Sequence, residues 1–102
     1  MVNYQLFFTS QADKDKTLIK QAGLEDRARE LLGIIAENPF QNSPPYEKLV
    51  GNLCSYYSRR INIKHRLVYQ VFDNTNGAKD INGNLIKGYI KIIRMWTHYE
   101  KL

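Results

Sequence analysis

The strongest constraint on this chain is a cation-rich segment at residues 57–69, which reads YSRRINIKHRLVY. It contains three Arg, one Lys and one His, yet its second half continues into residues typical of a protein core. The pattern predicts a strand, a turn and a second strand whose charged side chains lie on the solvent side of a sheet. A row of guanidinium groups on a rigid sheet is suited to receive phosphate. If this segment binds a phosphate group, the residues that act on that group are expected elsewhere in the chain.

Two helices are predicted in the first third of the chain. The first is expected to begin at a capping Ser10 and to end near Gly23. Its few apolar positions are Leu18, Ile19 and Ala22, and its solvated face is expected to comprise Asp13, Lys14, Asp15, Lys16 and Lys20. The second helix ends before Pro39, because the residue before a proline is disfavoured in the helical conformation. Its core stripe at helical spacing is Leu24, Ala28, Leu31, Leu32 and Ile35.

The remaining segments predict strands joined by turns. Residues 2–9 read as a first strand, and the proline-rich residues 38–45 read as a connector. Residues 46–53 are expected to form a turn or a single helical turn. An Asn-Gly pair at residues 82–83 is a strong hairpin signal within the polar, glycine-rich residues 73–88.

Alternation along the last two strands predicts which face each side chain takes. In residues 66–72, Arg66 faces outward, and the core side takes Leu67, Tyr69 and Val71. In residues 89–99, simple alternation places one set on a common face, namely Arg94, Trp96 and His98. The predicted fold class is α+β, with two N-terminal helices on one face of a small, mostly antiparallel sheet and an open basic face opposite. We expect residues 1–102 to form one domain.

The composition of the chain indicates which kind of partner the protein binds and in which compartment it is found. The net charge is +5 over 102 residues, which favours an anionic partner such as nucleic acid or an acidic protein. The single cysteine, Cys54, excludes an intrachain disulfide and suits a reducing cytoplasm. The first residues do not resemble a secretion signal, and no apolar stretch reaches membrane-spanning length, so a cytoplasmic protein without membrane contact is expected.

Three titratable residues stand where neighbouring strand ends are expected to meet, about 5 Å apart. Glu47 precedes the cation-rich segment, Arg66 begins its second strand, and His98 lies near the end of the last strand. Beside a phosphodiester, such a set can take the proton of a ribose 2′-hydroxyl, hold the phosphate and protonate the departing 5′-oxygen. This reaction needs no metal or other cofactor, and the sequence offers no obvious metal site. Three aromatic residues can stack on bases, namely Tyr57, Trp96 and Tyr99.

Each of these residues also has a structural alternative. Glu47 can be an ordinary loop carboxylate, and His98 can belong to a frayed chain end. Arg59 and Arg60 can form a solvated strand face, or one of them can pair with an acidic residue. Two further residues are better explained by the fold than by catalysis, namely His65 and Trp96. Spacing alone therefore leaves a ribonuclease as one alternative among several.

A series of short motifs gives a sharper comparison. Residues 58–61 read SRRI, residues 65–69 read HRLVY, and residues 98–100 read HYE. In this order and at these intervals, the motifs closely resemble the signature of the YoeB/Txe-type toxins of the RelE superfamily. The similarity is strongest over residues 38–72 and 94–100.

The resemblance implies a RelE-like fold and a type II toxin. Such a toxin would cut mRNA in the A site of the small ribosomal subunit and leave a 2′,3′-cyclic phosphate, which would halt translation. It implies a general base at Glu47, a phosphate-holding arginine at Arg66, a general acid at His98 and a substrate-positioning residue at Tyr99. The residues that it implies for RNA contact are Lys48, Tyr57, Arg59 and Arg60, with one of the two arginines serving the fold.

The resemblance also implies partners. It predicts a cognate acidic antitoxin of the YefM/Axe type that covers the basic face, with promoter DNA bound only through that complex, and it leaves a homodimer open. The alternative function is a ParE-like toxin that poisons DNA gyrase without catalysis, although that class generally lacks the Glu/Arg/His set. The chain departs from the family pattern in four places. Tyr57 stands where tryptophan is usual, and residues 73–88 form a longer segment. Val50 stands near a position where the family often has lysine, with Lys48 two residues earlier, and residues 100–102 extend past Tyr99.

Overall fold

The structure, a computed structural model, describes residues 4–42, 44–49 and 56–97. A first strand and two helices come first in the chain, followed by four strands. Their bounds are β1 Tyr4–Phe8, α1 Ser10–Gln21, α2 Glu25–Glu37, β2 Glu47–Lys48, β3 Tyr56–Arg60, β4 Arg66–Asp73 and β5 Gly88–Thr97. Neither of these helices is long and apolar enough to cross a membrane.

The strands form one five-stranded sheet in the order β1-β5-β4-β3-β2. β1 runs parallel to β5, and the other three pairings are antiparallel. This confirms the predicted α+β class with a mostly antiparallel sheet. The prediction of a turn or helical turn from residue 46 is wrong at Glu47 and Lys48, which pair with β3 as a short edge strand.

Both helices pack on one face of the sheet. The core joins α1 and α2 to β4 and β5 through buried apolar residues that include Ile19, Leu31, Ile35, Leu67, Tyr69, Ile90, Ile92 and Met95. In β4, Leu67, Tyr69 and Val71 all contribute to this core, so the predicted alternation of that strand is confirmed. The predicted core stripe of α2 is confirmed as well, since its members are buried or packed against the core.

The start of α1 differs from the prediction by one residue. Thr9, rather than Ser10, is the N-cap: its Oγ1 accepts a hydrogen bond from the Ala12 amide at 3.0 Å. The same hydroxyl donates to the carbonyl oxygen of Ile93 at 2.8 Å, which ties the helix start to β5. The bond to Ile93 explains why Thr9 is the N-cap, because a hydroxyl at this position can bond to both the first turn of α1 and β5. The predicted stop is confirmed, with Gly23 at a φ of +74°.

The buried face of α1 is not the predicted one. Ala12, Asp15 and Ile19 are buried, whereas Leu18 is 39% exposed, so the prediction of a solvated Asp15 is wrong. The Oδ2 atom of Asp15 accepts from Arg94 Nε and from the Met95 amide, each at 2.9 Å. A buried carboxylate is tolerated when it is both paired and hydrogen-bonded in this way.

Asp15 faces an irregular part of β5. Between the pairs Arg66–Thr97 and Tyr69–Ile92, the register of β5 against β4 shifts twice. At such a bulge an extra residue drops out of the ladder, and its backbone groups need other partners. The shifts also break the strict alternation that was predicted for residues 94–98: Ile92 and Met95 both join the core, and Arg94 bonds to α1.

The segment between β4 and β5 contains the predicted hairpin. Lys79 pairs with Leu85, and the turn has Gly83 at a φ of +83°, a conformation that favours glycine. Asp80 Oδ1 accepts from the amides of Asn82 and Asn84, which holds the turn closed.

Removal of the buried carboxylate is expected to destabilise the protein. Asp15→Ala removes both hydrogen bonds and leaves Arg94 without this carboxylate, so we expect a loss of about 3 kcal/mol in the free energy of unfolding. Chemical denaturation measures the loss. Asp13→Ala is the matched control, since Asp13 is an exposed acid on the same helix and should cost well under about 1 kcal/mol. Equal effects of the two substitutions would contradict the role given to Asp15.

Candidate active site

Glu47 and Arg66 meet on the sheet face opposite the helices. The register pairs Glu47 with Ser58 and Ser58 with Val68, which places these residues and Arg66 on one side of β2, β3 and β4. Arg66 Nη1 lies 3.0 Å from Glu47 Oε1 and 3.2 Å from Ser58 Oγ. The predicted proximity of Glu47 and Arg66 is therefore confirmed.

The two partners differ in exposure. The side chain of Arg66 is 13% exposed, and that of Glu47 is 53% exposed. A guanidinium held between a carboxylate and a buried hydroxyl is fixed before any ligand arrives, which suits the binding of a phosphate oxygen. An exposed carboxylate beside it can accept a proton from a bound substrate. Within residues 4–42, 44–49 and 56–97, no three acidic or histidine side chains converge as metal ligands would.

Ser58 is the site residue that the sequence reading missed. It is fully buried and accepts a hydrogen bond from Arg66. Ser58 has the same parity as Arg60, two residues on, but no local signal in the sequence specifies which of Arg59 and Arg60 faces outward. A small hydroxyl among larger residues does not by itself indicate a partner for arginine.

The predicted acid, His98, and the predicted positioning residue, Tyr99, lie outside the described residues. The last described residue is Thr97, whose sheet partner is Arg66. The strand that leads to His98 in sequence therefore ends beside the arginine of the candidate site.

Arg59 lies inside the protein. The prediction that it belongs to the open basic face is wrong, since the residue is only 1% exposed. Alternation along β3 puts Arg59 on the helix side, opposite Leu67. Its guanidinium donates to the carbonyl oxygens of Pro39, Pro44 and Gln41 at 2.7–2.9 Å and to Tyr69 Oη at 3.2 Å. Of the arginine pair, Arg59 is thus the one that serves the fold.

Arg60 takes the opposite position. It is exposed at the end of β3, and its partner across the sheet is Arg66. Arg60 therefore has the exposure that an RNA contact requires.

Tyr57 and Lys48 face away from the candidate site. They pair with each other in neighbouring strands, on the side of the sheet opposite Glu47 and Ser58. The ring of Tyr57 packs against those of Phe40, Tyr46 and Tyr69, with centroids 5.3–6.0 Å apart. The expectation that Tyr57 offers a base-stacking surface on the open face is therefore wrong, because its ring belongs to this aromatic cluster.

His65 and Trp96 form a stacked pair. Their ring centroids are 3.7 Å apart, and the rings are inclined by 15°. The His65 amide also donates to Asn62 Oδ1 at 2.7 Å, and Trp96 packs against the core. Both residues thus have the structural role that was favoured for them.

Comparison with known proteins identifies the same family that the sequence motifs resemble. A profile of YoeB-like toxins of bacterial type II toxin-antitoxin systems matches residues 8–81. Toxin YoeB of Synechocystis is 44% identical over 59 residues, which are 58% of this chain. The match spans 62% of the length of that relative.

Solved structures extend the similarity over almost the whole chain. A YoeB dimer from Staphylococcus aureus is 35% identical, with a TM-score of 0.71, and the match covers 95% of this chain and 99% of that one. A heterotetrameric YoeB-YefM toxin-antitoxin complex from the same organism is also 35% identical, with a TM-score of 0.67 and coverage of 94% and 98%. These similarities confirm the RelE-like fold that the motifs implied.

Arg59 and Arg60 provide a matched pair of substitutions. Arg59→Lys replaces a planar group that spans four acceptors by a single ammonium, so we expect a loss of about 3 kcal/mol in the free energy of unfolding. Arg60→Lys makes the same chemical change at an exposed position and should stay within about 0.5 kcal/mol of wild type. Chemical denaturation distinguishes the two, and a stable Arg59→Lys variant would refute the structural role.

Tyr69 gives a pH-dependent prediction. Burial raises the pKa of Tyr69 from 10.0 to about 12, and the nearby Arg59 offsets part of this rise. The neutral phenol therefore stabilises the fold fully below pH 10, and this contribution is lost as the pH rises through 12. Tyr69→Phe lacks the titration, so its stability difference from wild type should shrink by about 3 kcal/mol over that interval. Denaturation curves across this pH range check the prediction; a constant difference would contradict it.

Proposed function

Because the chain belongs to the YoeB-like toxins of bacterial type II toxin-antitoxin systems, we propose that it is a ribosome-dependent endoribonuclease that cuts mRNA in the A site. The observation that carries the proposal is the contact of Arg66 with Glu47 and Ser58 on the open face of the sheet. In 2′-hydroxyl attack on a phosphodiester, a carboxylate can accept the proton of the hydroxyl, and a prepositioned guanidinium can stabilise the charge that develops on the phosphate.

The proposed reaction is an internal transfer at phosphorus. Glu47 takes the proton of the ribose 2′-hydroxyl, and the resulting oxygen attacks the adjacent phosphorus atom. Arg66 holds a non-bridging oxygen and stabilises the charge that grows on it. The bond to the 5′-oxygen breaks as His98 gives that oxygen a proton, which leaves a 2′,3′-cyclic phosphate and a 5′-hydroxyl. Tyr99 is proposed to position the substrate.

The surroundings of Arg66 favour this reaction by limiting the reorganisation that substrate binding requires. Its guanidinium is already oriented by two hydrogen bonds and is largely shielded from water, so little reorganisation accompanies substrate binding. Arg60, exposed at the end of the adjacent strand, is proposed to contact the RNA backbone. The same role is not carried over to Arg59, Tyr57 or Lys48, whose side chains lie on the helix side.

The proposed partners follow from the family and from charge. A net charge of +5 favours an acidic cognate antitoxin, and the Staphylococcus aureus relative is found in a heterotetramer with YefM. We propose a YefM-like antitoxin for this chain, through which promoter DNA would be bound, and a toxin dimer like that of the same relative. Light scattering of the toxin alone and with the product of an adjacent small acidic reading frame measures both assemblies.

Substitutions at the candidate site test the reaction. In a purified translation system, wild type should arrest synthesis and leave mRNA ends at the A-site codon, visible by primer extension. Glu47→Gln and His98→Gln should each lower the cleavage rate by about 10²–10⁴-fold, because each removes a proton-transfer group. Glu30→Gln is the control, since Glu30 is an exposed carboxylate on α2 that pairs with Arg27.

Two outcomes would count against the proposal. Full cleavage by both site variants would refute the acid–base assignment. DNA breaks in cells that express wild type, without cut mRNA, would instead favour the gyrase-directed alternative.

A further inference from the structure

An aromatic patch lies on the open face of the sheet, some distance from Glu47 and Arg66. It consists of Phe7 on β1, Phe72 on β4, and Tyr89 and Lys91 on β5, which surround one shallow depression. Phe7 is 48% exposed and Phe72 is 44% exposed. The rings of Phe7 and Tyr89 lie 5.6 Å apart. Exposed apolar surface that is shared by three strands commonly marks an interaction site.

The sheet register places this patch on the same face as the candidate active site. Along β4, Leu67, Tyr69 and Val71 pack toward the helices, so Arg66 and Phe72 lie on the other side. Phe72 pairs with Tyr89, and Lys91 pairs with Phe7. Phe72 lies six positions after Arg66 on β4, which is roughly 20 Å along the strand. That distance spans several nucleotides of an extended chain.

The chemistry of the face favours nucleic acid. Between Arg66 and the patch, the same side of β4 carries Val68, which is fully buried, and then the half-buried Gln70, which pairs with Lys91. None of the described open-face positions of β1, β4 and β5 up to Ile92 is Asp or Glu. Asp73, the next residue of β4, has the parity of the helix side. Aromatic rings beside a cation on an exposed sheet face are the usual means by which proteins stack the bases of single strands.

We propose that the aromatic patch is a second contact for single-stranded mRNA, at which the rings of Phe7, Phe72 and Tyr89 stack on bases and Lys91 meets the backbone. The inference rests on the proposed function, since it supposes that the strand whose phosphate reaches Arg66 continues across the same face. The patch would hold nucleotides several positions from the scissile bond, independently of their sequence.

Binding of a short fluorescent single-stranded RNA to the Glu47→Gln protein tests the proposal without cleavage. Phe72→Ala in that background should weaken binding about tenfold, the usual effect of losing one stacked base. Phe72→Tyr should bind as well as the parent, because it retains the ring. Phe72→Leu should be as weak as Phe72→Ala, although it keeps most of the apolar surface. Ile81→Ala is the control, since Ile81 is a fully exposed apolar residue on the hairpin.

Several outcomes would overturn the proposal. Unchanged RNA binding by Phe72→Ala would do so, and so would parent-like binding by Phe72→Leu, which would indicate an apolar contact with protein. Light scattering that shows loss of a dimer or of the antitoxin complex, with RNA binding intact, would assign the patch to that protein partner. Failure of the proposed function would give a different result: wild type would leave mRNA uncut on ribosomes, whatever effect the Phe72 variants have on RNA binding.

Discussion

A buried guanidinium holds together the part of the fold on which the candidate site depends. Arg59 sits under the sheet and donates to three carbonyl oxygens of the connector before β2 and to the hydroxyl of Tyr69. A buried charge that loses such partners costs several kcal/mol, so the connector cannot move away without exposing or stranding it. The connector leads directly into β2, and β2 carries Glu47. The position of the proposed base is thus set from the opposite face of the sheet.

Along β3, residues that stabilise the fold alternate with residues that contribute to the candidate site. Ser58 points to the open face and accepts from Arg66, Arg59 points inward, and Arg60 is exposed at the strand end. Because the side-chain period of a strand is two, a register slip of one residue would exchange all of these roles at once. A slip would bury Ser58 against the core and bring Arg59 out, leaving the connector carbonyls without their donor. The internal bonds of Arg59 therefore also fix the register that brings Glu47 to Arg66.

The features that follow from periodicity could be predicted from the sequence. The stripe of α2, the alternation of β4 and the turn at Gly83 each depend on local pattern. The approach of Glu47 to Arg66 follows from the order of their segments along the chain, although the register that completes it does not. Asp15 could not be predicted, because a carboxylate on a charged helix is normally solvated and only the irregular β5 supplies donors for it. Which of Arg59 and Arg60 points inward depends on a register that no local signal specifies. β2 has only two residues, too few for a periodic pattern.

Asp15, bonded to β5, and Arg59, on β3, perform the same physical task in different parts of the fold. Each is a buried charge whose partners belong to a segment that would otherwise be weakly held: the bulged end of β5 for Asp15, and the connector for Arg59. The first segment leads in sequence to His98 and the second to Glu47, the two residues proposed to move protons. A charged group orders such a segment more strictly than an apolar one, because its hydrogen bonds are directional and costly to leave unmade. We therefore expect the proposed proton transfer to be sensitive to the loss of either buried contact.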